Sequence, residues 1–233
     1  MSLMLHELLV GGAVDDSIYV AQEFIPTGTS VGSITLPAGI IAGDLLILNW
    51  TGFRFGAAPA YSAPAGWNNR NNLVTGTNQS HTSFHWKIAN GTESGTTLSI
   101  WTSQNLGGFG LLVLRRRSGP ILSATEFDYQ FYSNLVAENA TRTINAVGRT
   151  KPLFVYLTAF AGSGVTQDLQ FTTSMTPDFE ITRINVPGFV ANRILKKTYS
   201  GSEVLLNDTY RLNTTAGAGG GGYTTRSVIF EIT

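Results

Sequence analysis

The apolar residues of this chain recur in short runs rich in β-branched and aromatic side chains, broken by Gly, Pro, Asn and Ser clusters. Such runs lie at 17–24, 31–36, 44–50, 82–89, 97–103 and 109–117, and then at 124–132, 142–147, 153–160, 179–184, 189–199, 203–212 and 226–233. Many short strands separated by turn residues predict an all-β sandwich or barrel. Several runs alternate as half-buried strands do. In TLSIWTS, Leu98, Ile100 and Thr102 fall on one face, and Ser99, Trp101 and Ser103 on the other. LFVYLTAF (153–160) is almost continuously apolar and predicts a central strand.

Helical periodicity is confined to 3–10, where Leu5, Leu8 and Leu9 suit one short turn. Two readings of this segment stand: a tail docked on the domain, or an anchor to a partner through Leu3, Leu5, Leu8 and Leu9. No linker or internal repeat divides the rest. The expectation is a segment over 1–16 followed by a single antiparallel β-sandwich, jelly-roll-like, over 17–233. The polar stretch GWNNRNNLVTGTNQSH (66–81) reads as an exposed excursion between strands, and the prolines at 174–180 and 184–189 as turns that stop ladders.

Composition narrows the function classes. The chain has 233 residues, enough for a sizeable core without staples. Charged residues make up 13%, and 15 Lys plus Arg balance 15 Asp plus Glu. A nucleic-acid surface would need a basic excess or stripe. With no cysteine, disulfides, thiolate metal sites and cysteine nucleophiles are excluded. The opening MSLMLHELLVGGAVDD lacks a basic n-region and does not read as a signal peptide. No run approaches the roughly 18 apolar residues of a membrane-spanning helix, so no membrane insertion is expected. N-x-Ser/Thr sequons at Asn49, Asn78, Asn90, Asn139, Asn207 and Asn213 read as chance in an Asn/Thr-rich chain.

The chemistry-bearing clusters are few. His81 and His85 share a strand face but stand about 13 Å apart by strand rise. With no third ligand evident, neither a metal nor another cofactor is expected. Glu126 and Asp128, two apart in TEFDY, share a strand face on the same rule. Carboxylates roughly 5–9 Å apart can cleave glycosidic bonds, but a solvated strand face offers the same pair, and the reading is non-enzymatic. No G-x-S-x-G elbow occurs. Arg115, Arg116 and Arg117 end an apolar strand, either as charges that block edge pairing or as a site for an anionic sugar. WNNRNN is the most suggestive binding stretch: Trp67 offers a flat face for a sugar ring, and Asn69, Arg70 and Asn72 offer donors and acceptors for hydroxyls. Trp67 could equally plug the core. Arg54, Phe55 and Tyr61, on a presumed loop at 53–61, stand behind that site. The glycine-rich AGAGGGGYTT (216–225) precedes a strand, with no Lys and no helix, so it is not a phosphate loop. It reads as a long hairpin loop whose glycines, within the Gly-rich 217–222, supply conformational freedom.

LPAGIIAGDLLIL (36–48), APAGW (63–67), FHWKIANGTESGTTLSIWTS (84–103) and GFGLLVLRRRSG (108–119) follow one another in order. Together they resemble a recurrent β-sandwich domain of tailed-bacteriophage structural proteins and related bacterial proteins. The resemblance runs from about residue 17 through LFVYLTAF to the closing RSVIFEIT, and its motifs are structural. The triple Arg departs from the pattern, which tends to Tyr-Arg-Gly there. Asn90–Gly91 carries a type I′ hairpin signal, which would return WKIA against TLSIW and place Trp86 and Trp101 on neighbouring strands. The resemblance implies a virion component assembled in the host cytoplasm: a tail fibre, a baseplate appendage or a receptor-binding protein. It further implies a homotrimer with other tail or baseplate proteins and host surface polysaccharide as partners. The alternatives are a capsid decoration protein and a glycan-cleaving depolymerase using Glu126 and Asp128.

Overall fold

A computed structural model of the chain describes residues 18–24, 32–54, 60–72, 79–102, 106–134, 139–144, 152–161, 167–171, 179–186, 190–198, 206–214 and 223–233. Leu3, Leu5, Leu8, Leu9, Phe55 and the glycines of 217–222 lie outside them. The strands of the first half are β1 (Ile18–Phe24), β2 (Ser33–Thr35), β3 (Leu45–Arg54), β4 (Ala60–Tyr61), β5 (Asn68–Asn72), β6 (Gln79–Ile88), β7 (Thr97–Ser99), β8 (Trp101–Thr102) and β9 (Leu106–Arg116). Those of the second half are β10 (Ala124–Asn134), β11 (Asn139–Ile144), β12 (Pro152–Ala161), β13 (Gln167–Phe171), β14 (Phe179–Val186), β15 (Val190–Thr198), β16 (Leu206–Thr214) and β17 (Tyr223–Ile232).

The described residues are all-β, and every pairing is antiparallel. One sheet runs β1-β9-β3-β6-β5 and a second β10-β17-β12-β15-β14. β3 packs over β12 and β15, and β6 over β12 and β17, which makes a sandwich. β12, formed by LFVYLTAF, is the middle strand of its sheet, as its apolar run predicts. A three-stranded sheet β11-β16-β13 and the ribbons β2-β7 and β4-β8 complete the set.

The first sheet is covered on both faces, which explains why LLIL and LLVL do not alternate. Toward the second sheet, Leu45, Ile47, Phe84, Trp86, Leu112 and Leu114 meet Phe230 and Ile232. On the other face, Leu46, Leu48, Trp50, Phe109, Leu111 and Val113 pack under Ile34, Leu36, Ile40, Trp67, Ile100 and Trp101. Each fully buried Leu or Ile side chain stabilises the fold by about 1.5–3 kcal/mol.

This second layer corrects three expectations. β6 is already flanked by β3 and β5, so 89–96 does not return it as a hairpin: β7 pairs with β2, and β8 with β4. Trp86 and Trp101 accordingly sit in different clusters, on opposite faces of the first sheet. Ile100 and Trp101 do not alternate either. Their N–H groups both donate to Gly32 O at 3.0 Å, the chain kinks, and both side chains are buried in one cluster. Finally, β16 and β17 belong to different sheets, so the glycine-rich stretch connects sheets rather than the arms of a hairpin.

Three of the four quoted motifs, 36–48, 84–103 and 108–119, converge on one corner. Gly43 has φ +86°, and a Cβ there would lie 2.3 Å from Pro120 Cβ, so both backbone geometry and close approach require glycine. Gly43 N donates to Ala89 O, Ile121 N to Gly43 O, and Ala89 N to Asp44 O, at 2.9, 2.9 and 2.7 Å. The fully buried Asp44 carboxylate accepts from Ile41 N and from Arg115. In ANGTESG, Glu93 accepts from the N–H groups of Asn90 and Gly91 and from Lys87 Nζ at 2.7 Å, while Asn90 Oδ1 accepts from Thr92 N. Asn90–Gly91 thus opens a carboxylate-centred turn instead of closing two strands.

Candidate functional site

The stretch WNNRNN is a strand, not an excursion: β5 is the edge of the first sheet, with Asn68 opposite Trp86 and Asn72 opposite Thr82. Asn is a poor strand former, but an edge strand needs hydrogen bonds on one side only. The turn before it, APAGW, has Gly66 at φ +75° and Trp67 N donating to Pro64 O at 3.2 Å, the signature of a type II turn. That turn drops Trp67 into the outer cluster, where it is 8% exposed. Trp67 is a core plug, and its face is not available as a sugar platform.

The other expected contacts do not form one patch. Tyr61 lies on β4, paired with Trp101, and its ring packs between His85 (centroids 5.9 Å apart, stacked) and Trp101 (5.0 Å). Asn69 is half-buried opposite His85. Arg54 ends β3 opposite Gln79 rather than lying in a loop. Arg54 and Asn72 share one end of the sheet through their neighbours at the start of β6, whereas Trp67 enters from the other end. The aromatic layer beneath is continuous: Trp50 stacks on Trp101 at 4.5 Å, and Trp101 Nε1 donates to Ser83 Oγ at 2.8 Å. His85 is fully buried within it. Asn49 is also fully buried, which removes its sequon as an acceptor.

Arg70 behaves differently. Opposite Phe84 on β5, it crosses to the second sheet, where Nε and Nη2 both donate to Glu126 Oε1 at 3.3 and 3.0 Å. Its side chain is 51% exposed and that of Glu126 11%. The pair bridges the edge strands β5 and β10 along one flank of the sandwich. The ladder does not keep the regular spacing that a shared face for Glu126 and Asp128 assumes. A bulge lies between them, and they pair with the adjacent residues Phe230 and Ile229. Nothing in TEFDY signals that bulge.

The triple Arg is not an edge block, because β9 is interior between β1 and β3. Arg115 is taken by Asp44 and Gly39 O, Arg116 Nη1 donates to Pro120 O at 3.4 Å, and the Arg117 guanidinium lies 5.5 Å from the Tyr19 ring centroid. The Asp44 carboxylate pushes Arg115 above its ordinary pKa. An anionic sugar would have to displace Asp44 to reach Arg115. Among the described residues, no group of three His, Asp or Glu could hold a metal ion. Comparison with protein-family models, curated proteins and solved structures finds no match to this chain.

Proposed function

We propose that the chain is a non-enzymatic structural component of a bacteriophage virion, of the tail-fibre or receptor-binding type, that contacts host surface glycan. One observation carries the reading. Three of the four stretches that resemble the phage sandwich domain, far apart in sequence, meet at the Gly43–Asp44 corner, where Arg115 and Ala89 close on it. They behave as one structural unit, which supports reading the resemblance as kinship of scaffold rather than chance similarity of turns. The neutral, cysteine-free surface suits a particle built in a reducing cytoplasm and later exposed. A homotrimer joined to tail or baseplate proteins is part of the same proposal.

The depolymerase reading is disfavoured by the bulge between Glu126 and Asp128 and by the Arg70 ion pair on Glu126. Antibody labelling of intact particles, viewed by electron microscopy, is expected to mark the tail; label over the shell would replace this reading with capsid decoration. On a glycan array paired with a reducing-sugar assay, binding without new reducing ends is expected. Release of reducing ends would overturn the non-enzymatic assignment.

A further inference from the structure

Asn90–Gly91 is the only Asn-Gly pair in the chain, and both residues are exposed. Such a pair is open to self-modification, because glycine puts no side chain in the way of ring closure. The backbone nitrogen after the asparagine loses its proton and attacks the side-chain Cγ. A C–N bond forms, the Cγ–Nδ2 bond breaks, and ammonia leaves with that proton. Water then opens the succinimide at either carbonyl, giving Asp or isoaspartate. In this turn the attacking atom, Gly91 N, donates to Glu93 Oε2 at 2.9 Å. Asn90 N donates to both Glu93 oxygens at 3.1 Å, which fixes the backbone on the other side of Asn90. Glu93 is itself anchored: it is 4% exposed and pairs with Lys87 Nζ at 2.7 Å. The electrophile is not protected in this way. Asn90 Oδ1 accepts from Thr92 N at 3.0 Å and from Thr92 Oγ1 at 2.7 Å, two donors that draw electrons from Cγ.

We propose that Asn90–Gly91 is a primed site of succinimide formation and that the Glu93 carboxylate is the latch that keeps it closed. The inference is independent of the glycan reading. Removing the proton from Gly91 N would set a second negative charge 2.9 Å from the carboxylate, which like-charge repulsion opposes. The same step gives up a charge-assisted hydrogen bond. Glu93 does not serve as the base instead, because the bonds from Lys87 and Asn90 N hold its pKa below the ordinary 4.5 and make it a weak acceptor of an amide proton. What the latch guards extends beyond the turn. Isoaspartate adds a main-chain carbon next to Ala89, whose N–H and C=O are bonded to Asp44 and Gly43 at the corner of the sandwich.

The test incubates the full chain in mildly alkaline buffer and follows conversion at Asn90 by peptide mapping and mass spectrometry. The same chain unfolded in guanidinium chloride gives the unlatched rate. The folded protein is expected to convert about tenfold more slowly or better, the factor of one hydrogen bond to a charged group. Glu93→Ala, shown to be folded by circular dichroism, is expected to recover about tenfold or more of that rate. Glu93→Gln keeps the shape and removes the charge, and it is expected to convert faster than the parent chain. It decides the matter alone where the alanine variant fails to fold. Conversion of the folded parent as fast as the unfolded chain would overturn the proposal. So would folded Glu93 variants that convert no faster than the parent, and a slower rate in them would make the carboxylate a base rather than a latch.

Discussion

Arg115 meets Asp44 through two parallel hydrogen bonds, Nε to Oδ1 at 2.7 Å and Nη2 to Oδ2 at 2.8 Å, across 71 positions of sequence. Asp44 is fully buried, so removing Arg115 would leave a buried carboxylate without its ion-pair partner. Arg115→Ala is expected to destabilise the fold by about 3 kcal/mol, the low end for a broken buried pair because Arg115 is partly exposed. Urea unfolding checks it. The double variant with Asp44→Ala is expected to lose less than the sum of the two single changes.

Gly43 and Gly119 form a matched contrast. Both have positive φ, but a Cβ at Gly43 strikes Pro120, whereas a Cβ at Gly119 meets nothing within 4 Å. Gly119→Ala is expected to cost about 1–2 kcal/mol for the left-handed backbone alone. Gly43→Ala is expected to cost clearly more, because the 117–121 connection must move. Thermal melts of the two variants side by side decide this.

Glu93 makes the 89–96 turn sensitive to acid. Burial pushes its carboxyl up, but hydrogen bonds from Lys87 and the Asn90 N–H outweigh this and hold its pKa below the ordinary 4.5. A depressed folded pKa means that the stability it lends is present above the unfolded value and is lost as pH falls through the folded one. Stability is therefore expected to drop as pH falls below about 4.5. Glu93→Gln is expected to flatten that part of the curve. Denaturation midpoints measured across the acid range check the sign.

Trp67→Ala separates a core residue from a contact residue. Buried in the outer cluster, Trp67 is expected to cost about 3–5 kcal/mol on truncation. Any loss of host adsorption should then track the folded fraction measured by circular dichroism. A fully folded Trp67→Ala protein that no longer adsorbs would restore Trp67 as a contact.

The strand pattern carried the fold class, because alternation and turn residues act locally and the sandwich follows from them. The continuous run of LFVYLTAF likewise pointed to a central strand. What was not legible depends on a third layer. Apart from the non-alternating LLIL and LLVL, little in the sequence marks the first sheet as covered twice: Trp67 stands open between core plug and contact, Tyr61 reads as a contact and Trp101 as simple alternation, although Trp67 and Trp101 lie in the outer cluster and Tyr61 packs against it. Asn90–Gly91 is a strong hairpin signal that lost to context, since β6 had both neighbours already and Glu93 captured the turn. The pairing of Arg70 with Glu126 spans two sheets, and no local spacing encodes it. The single-residue bulge after Glu126 shifts the β10–β17 register by one position, and no local pattern announces it.

The place of β17 bears on how the chain can be made. The described strands of the first sheet all precede residue 117, so that sheet can pair while later residues are still being synthesised. The second sheet cannot. β17 is the last of the described strands, yet it lies between β10 and β12 and joins them. Until it arrives, β10 has no neighbour in its sheet and β12 has a bare edge. A nascent chain stalled short of Tyr223 would thus carry one finished layer and one open layer, the kind of intermediate that sticks to its own copies.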